Sequence, residues 1–175
     1  EGNIYVGKVQ NVLTGLQSAF VNIGEKRNAF IHVKDILPKV DITKNEEVEE
    51  KPINKLIKPG DPLIVEVKKE AVDKKGPRLS THISLTSRFV VFMPNADFIT
   101  VSQKIEDENE KLRLKEIVSK YLPDGTGAII RTVAEGRAED EIKNDILKTI
   151  EKWKNIKLKQ VEKFPQKIYD KGGVL

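Results

Sequence analysis

One stretch restricts this chain more than any other. SAFVNIGEKRNAFIHV, from Ser18 to Val33, alternates apolar and outward-type residues on both sides of a glycine. A period of two marks a strand with one face buried. Ala19, Val21 and Ile23 share one face; Ser18, Phe20 and Asn22 take the other. Past a tight turn at Gly24, Ala29, Ile31 and Val33 share a face, with Phe30 and His32 opposite. Small and aliphatic residues fill the inward positions, so the aromatic rings point outward, beside Lys8, Lys26 and Arg27. Two readings of those rings stand. Flat rings on a basic, solvated sheet stack on the unpaired bases of a single strand. Alternatively, Phe20 and Phe30 occupy a second core beneath a loop or neighbouring domain, which composition alone favours.

Strand pattern resumes at Leu63–Lys68, with Leu63, Val65 and Val67 inward. A polar turn, Asp73–Pro77, leads to a fifth strand that places Leu79, Thr81 and Ile83 inside and Arg78, Ser80, His82 and Ser84 outside. Between the third and fourth strands, the proline-punctuated stretch 38–62 reads as a surface insertion with a short helical turn near Ile53–Ile57. Five short strands with one long connection suit a small Greek-key barrel of the OB type. Its outer face gathers Phe20, Phe30, His32, Lys75, Arg78 and His82.

The second half changes period. Phe89–Met93 is a continuous apolar run, and Ile99–Ile105 alternates. Asp107 followed by Glu110 is a capping pair. A helix then runs to about Leu122 with Leu114, Ile117, Val118 and Tyr121 on its apolar side. Thr126–Val133 reads as strand. A second helix, from about Ala138 to Ile156, carries Ile142, Ile146, Ile150 and Trp153 at helical spacing, which makes a core stripe. The fold class is therefore α+β: a five-stranded OB-type barrel over residues 1–83, a small α/β domain over 84–156, and a basic connecting segment over 157–175.

Composition sets the outer limits. Of 175 residues, 38% are hydrophobic and 33% charged, so the chain can bury a core and remain soluble. A formal net charge of +4 permits a polyanionic partner without requiring one. There is no cysteine, which excludes disulfides and thiolate zinc sites within these residues. No apolar run approaches the roughly 20 residues of a membrane helix, and no leader pattern precedes the first strand, so a cytoplasmic setting is expected. The chain starts at Glu1 in strand pattern and stops at Leu175, and reads as a fragment of a longer parent.

GNIYVGKV followed by SAFVNIGEKRNAFIHVKDI resembles the RNA-binding OB domain of the ribosomal-protein S-one class, in the variant found in the ribonuclease E/G family. LSTHISLTSRFVVFMPN, VSQKIED, LPDGTGAIIRTVAEG and the helix ending in KWKNI follow in that family's order. The resemblance covers nearly the whole chain, and IIRT is its most specific piece.

The resemblance implies an endoribonuclease parent that cuts single-stranded, A/U-rich RNA during RNA processing and decay. The barrel would hold the strand, and the second domain would be a 5′ sensor for monophosphorylated ends. Phe20, Phe30 and Lys75 match the family's RNA-contacting positions. Arg131 and Thr132 match the residues that hold the terminal phosphate, and Ser87 and Val91 match positions whose backbone meets the terminal nucleotide. The family often has glycine at Ser87, and two arginines where this chain has Gln103 and Lys104. The family's catalytic magnesium, held by paired aspartates, and its subunit-joining zinc, held by a cysteine motif, lie beyond this chain. The fragment is therefore expected to bind RNA without cutting it, and the parent to be a homo-oligomer.

The residues alone leave other readings open. Arg131 at its spacing also suits an ordinary ion pair with Glu135 or Asp140, and Lys75 suits a solvated turn lysine. The acidic runs Glu47–Glu50 and Glu106–Glu110 suit solvation and capping, so no metal is assigned to them. A stand-alone RNA chaperone without end sensing, and a protein–protein module docking through Phe20 and Phe30, are the rival functions.

Overall fold

Alternating burial builds the first unit. The computed structural model describes residues 1–26, 28–36, 51–70, 76–159 and 164–171. Three strands run as a meander: β1 (Ile4–Leu13), β2 (Ser18–Asn22) and β3 (Ala29–His32). Between β2 and β3 the chain reverses at Gly24, whose φ of +86° suits a residue without a Cβ, and the Asn22 side chain accepts the Gly24 N–H at 2.8 Å. β4 (Pro62–Lys69) lies antiparallel to β1 and to β5 (Arg78–Ser80), and β5 runs parallel to β3. The order β1-β2-β3-β5-β4 therefore returns to β1 and closes a five-stranded barrel. Ala19, Val21, Ile23, Ala29, Ile31, Val65 and Leu79 are all at most 2% exposed and fill its interior.

Three details differ from the sequence reading. Residues 38–50 of the expected insertion lie outside the described residues. Its remainder is not wholly superficial: α1 (Ile53–Leu56) sends Ile53 into the core, and Ile57 follows. The fifth strand ends at Ser80, and alternation ends with it. Ser80 and Thr81 are both buried because both hydroxyls donate to the Asp35 carbonyl, at 3.3 and 3.1 Å. Finally, β10 (Gln166–Tyr169), within the stretch read as a connecting segment, pairs antiparallel with Ile4–Val6 of β1. β2 pairs only with Lys8–Leu13, so β10 covers the length of β1 edge that β2 leaves bare.

Among the described residues the second unit spans Ser84–Asn155. Its sheet has the order β6 (Leu85–Thr86), β7 (Val90–Met93), β9 (Gly127–Ile130), β8 (Ile99–Val101). β7 is antiparallel to β9, and β8 is parallel to it. Helix α2 (Glu108–Tyr121) is capped by Asp107, whose Oδ1 accepts the Asn109 and Glu110 N–H groups, and packs Leu114, Ile117 and Val118 inward against β8 and β9. Helix α3 (Glu139–Leu158) buries Ile142, Ile146 and Ile150, the stripe its spacing implies. β9 stops earlier than expected. After Arg131 the chain tightens into a 3-10 turn over Thr132–Ala134. No helix of the described residues is long and apolar enough to cross a membrane.

Candidate nucleic-acid interface

On the barrel, strand parity decides which side chains meet solvent. Phe20 and Phe30 are direct cross-strand partners on β2 and β3, and Arg78 stands opposite Phe30 on β5. The three form one row across the sheet. Phe20 is 38% exposed and Phe30 half-buried, while their chain neighbours Ala19, Val21, Ala29 and Ile31 are sealed inside. The rings therefore belong to the outer face rather than to the barrel core. On that face Asn11 lies opposite Phe20, Lys8 opposite Asn22, and Ser18 opposite His32.

Two groups on this side are already engaged. Arg78 donates from Nε and Nη2 to Asp35 Oδ2, at 3.2 and 3.0 Å. His32 accepts the Lys34 backbone N–H at Nδ1, which places its ring proton on Nε2 when neutral. Burial pushes the His82 imidazole below its ordinary pKa. Lys75 lies outside the described residues.

In the second unit, the turn between β6 and β7 brings the chemistry together. Arg131 N–H donates to the Phe89 carbonyl, and its Nη1 donates to the carbonyls of Ser87 at 2.7 Å and Arg88 at 3.0 Å. Neither Glu135 nor Asp140 pairs with it, and its Nη2 and Nε make no hydrogen bond among the described residues. The guanidinium is thus fixed through one nitrogen and keeps its other donors. Ser87 Oγ lies 2.6 Å from Asp145 Oδ2 and 2.9 Å from the Val90 carbonyl. With one proton to give, it donates to the nearer and charged carboxylate. Asp145 also accepts the Phe89 N–H at 2.9 Å and the Arg88 N–H at 3.3 Å. The turn is clamped between an acid on its N–H side and Arg131 on its carbonyl side.

Val91 is half-buried and stands opposite Ile129. Thr132 is exposed, and its hydroxyl lies 2.7 Å from Ser102 Oγ at the end of β8. Ser102 Oγ accepts the Lys104 N–H, so when it also donates to Thr132 the threonine proton is left for another acceptor. Ser87 and Arg131 are in direct contact, whereas Thr132 is held from the β8 side. The first turn of α3 carries Glu139, Asp140 and Glu141, which disfavours an anion there.

Asp145, Ser102 and Arg88 were not legible as site residues. Asp145 occupies a polar position on a helix whose apolar stripe is the only periodic signal, and nothing in the sequence couples it to a turn more than 50 residues earlier. Carboxylates of the acidic run Glu106–Glu110 have protein partners. Asp107 caps α2, while Glu110 takes Arg113 at 2.5 and 2.8 Å and the Gly136 N–H at 2.6 Å. The Arg113 contact holds the Glu110 carboxyl down to about 2. Among the described residues no three His, Asp or Glu side chains gather as metal ligands.

Two family models match the chain. Residues 1–82 match the S1 RNA binding domain, and residues 84–175 match the ribonuclease E/G family. Ribonuclease G of Escherichia coli strain K12 is 42% identical over 177 aligned positions, covering 99% of this chain and 36% of its own length. Ribonuclease G of Haemophilus influenzae is 41% identical, over 95% of this chain and 34% of its own. Ribonuclease E of Nostoc is 39% identical, over 89% of this chain and 22% of its own. The chain thus spans about a third or less of these relatives. The solution structure of GSP13 from Bacillus subtilis overlaps 46% of this chain and 53% of its own at 25% identity, with a TM-score of 0.34, too partial an overlap to add to the fold assignment.

Proposed function

The chain belongs to the ribonuclease E/G family, and from that premise we propose that its two units hold single-stranded RNA and sense a 5′-monophosphate for a nuclease centre elsewhere in the parent. Phe20 and Phe30 stack on bases, which tolerates many sequences, and Lys75 meets the phosphate backbone. Arg131 and Thr132 hold the terminal phosphate, while the backbone at Ser87 and Val91 meets the leading nucleotide. The parent is a cytoplasmic homo-oligomeric endoribonuclease of RNA processing and decay. Magnesium for its hydrolysis and zinc for its subunit link belong to segments outside this chain. Cysteine, the zinc ligand the resemblance implies, is absent here, and the carboxylates of Asp107 and Glu110 already serve a cap and an arginine.

One observation supports the end-sensing reading above the rest. Among the described residues Arg131 is oriented by two backbone carbonyls and pairs with no acid, which leaves its Nη2 and Nε for a ligand. A planar guanidinium held this way matches two oxygens of one phosphate. A terminal monophosphate offers oxygens that a 5′-hydroxyl lacks.

Fluorescence anisotropy with short A/U-rich RNA carrying either end tests the reading, on the 175-residue chain and on Arg131→Ala. The chain should prefer the 5′-monophosphate, and the substitution should erase that preference. Equal affinity for both ends in the unaltered chain would leave a barrel that binds RNA without sensing. Absence of RNA affinity would leave a protein-docking module.

A further inference from the structure

A second arginine at the same turn is neither committed nor assigned. Phe89 is 1% exposed, and two guanidiniums lie over its ring: Arg88 at 4.9 Å and Arg137 at 5.8 Å from the centroid. The two differ in their charge partners. Arg137 lies 3.6 Å from Glu141, one turn along α3. Arg88 is exposed and has no acid partner among the described residues. Its backbone is held on both sides: its N–H donates to Asp145, and its carbonyl accepts from Arg131. Arg88 on this turn and Arg131 bonded to its carbonyls thus each keep unspent donors among the described residues.

We propose that Arg88 holds the first internal phosphodiester of the RNA while Arg131 holds the terminal phosphate. This deepens the end-sensing reading and rests on RNA entering at Arg131. An arginine lying over an aromatic ring gives its face to the ring and keeps its edge N–H groups for an anion. The ring also limits the rotamers Arg88 must give up on binding, which lowers the cost of each contact. Arg131 is already turned onto the Ser87 and Arg88 carbonyls, so Arg88, standing on Phe89 instead, occupies a separate position. A chain of nucleotides led by a phosphate on Arg131 carries its next negative charge one nucleotide later. That phosphodiester is present whether the end is phosphorylated or not. Arg88 therefore contributes affinity to both kinds of RNA, and Arg131 contributes the difference between them.

The test uses A/U tetranucleotides with the full chain, isotope-labelled, and reads the backbone amide shifts of Ser102, Arg131 and Thr132. These three residues lie in the second unit. Four ligands cover both ends, each with a normal first linkage or a neutral methylphosphonate there. Arg88→Ala should weaken binding of the 5′-monophosphate and 5′-hydroxyl forms alike, by about three- to tenfold at low salt, and flatten the log–log salt slope by about 0.7. The methylphosphonate should cost the unaltered chain a similar factor and cost Arg88→Ala almost nothing. Arg88→Lys should keep the salt slope, and unshifted Asp145 and Ile130 amides in the free variants would show the turn and its partners intact. Additive losses, a loss confined to the monophosphate form, or no loss would each overturn the proposal. If the unaltered chain shows no end preference yet the coupling to the first linkage holds, end sensing fails and the role of Arg88 stands. If end preference is present and the coupling is not, the reverse is true.

Discussion

Phe20 and Phe30 face each other across β2 and β3 on the outward side of a barrel whose inward side is complete without them. Such a pair contributes little to folding and much to any ligand that stacks on it. Phe20→Ala should change stability by no more than about 0.5 kcal/mol, as for a surface substitution, yet weaken A/U-rich RNA binding by about 1–3 kcal/mol. Phe30→Ala should weaken binding alike and cost more stability, about 1 kcal/mol, because its ring is half-buried. The double variant should fall short of the sum, since adjacent side chains share one ligand. Thermal unfolding and RNA titration on the same samples check this. Large destabilisation with intact RNA binding would return both rings to a core role.

Asp145 ties α3 to the turn that carries Ser87 and Arg88. Its carboxylate accepts one hydroxyl and two backbone N–H groups. Asp145→Ala leaves three donors without their acceptor in a half-buried place, and should destabilise the second unit by about 2–3 kcal/mol. Ser87→Ala removes one donor and should cost about 0.5–1.5 kcal/mol. Trp153, the only tryptophan, lies in this unit and reports its unfolding by fluorescence. Equal costs for the two variants would mean that Asp145 serves Ser87 alone.

Glu110 gives the second unit a pH dependence of defined sign. Its carboxyl is lowered from 4.5 to about 2, first by the hydrogen bond from Arg113, and it also accepts the Gly136 N–H. A depressed carboxyl stabilises the fold above its unfolded value and loses that contribution as pH falls through its folded one. The loss should run from about pH 5 to pH 2 and amount to about 1–2 kcal/mol after solvent screening. Glu110→Gln keeps an acceptor for Gly136 and should flatten that acid limb in Trp153-monitored unfolding. An unchanged limb would place the acid sensitivity on other carboxylates.

Legibility in the sequence followed the reach of each signal. The strands around Gly24 and the stripe of α3 were readable because burial on one face writes a local period into the chain. The outward setting of Phe20 and Phe30 came from the same parity. β10 was not readable: only Ile168 of its four residues is buried, and what makes it a strand is the bare edge of β1, more than 150 residues away. Ser80 escaped for a similar reason, since a serine is buried only if an acceptor such as the Asp35 carbonyl meets it. At the second unit's turn, Arg131 and Ser87 were named by family resemblance. The bond between them depends on β7 pairing with β9, which no local pattern announces.

Gly76 joins the barrel's closure to its outer row. A Cβ there would overlap the Asn28 carbonyl oxygen, because the chain entering β5 passes close against the start of β3. The next residue's carbonyl accepts the Phe30 N–H at 3.0 Å, and Arg78 follows in register with Phe30. Gly76→Ala must push these backbones apart, at a cost of about 1–3 kcal/mol in barrel stability. It should also weaken RNA binding, because Phe30 and Arg78 shift together, and the loss should persist at temperatures where the variant is fully folded. Gly15→Ala is the control: nothing lies within 4 Å of a Cβ there, so both stability and affinity should hold. If Gly76→Ala destabilises the barrel while the folded variant binds RNA with full affinity, then the alignment of Phe30 with Arg78 is not part of the binding face.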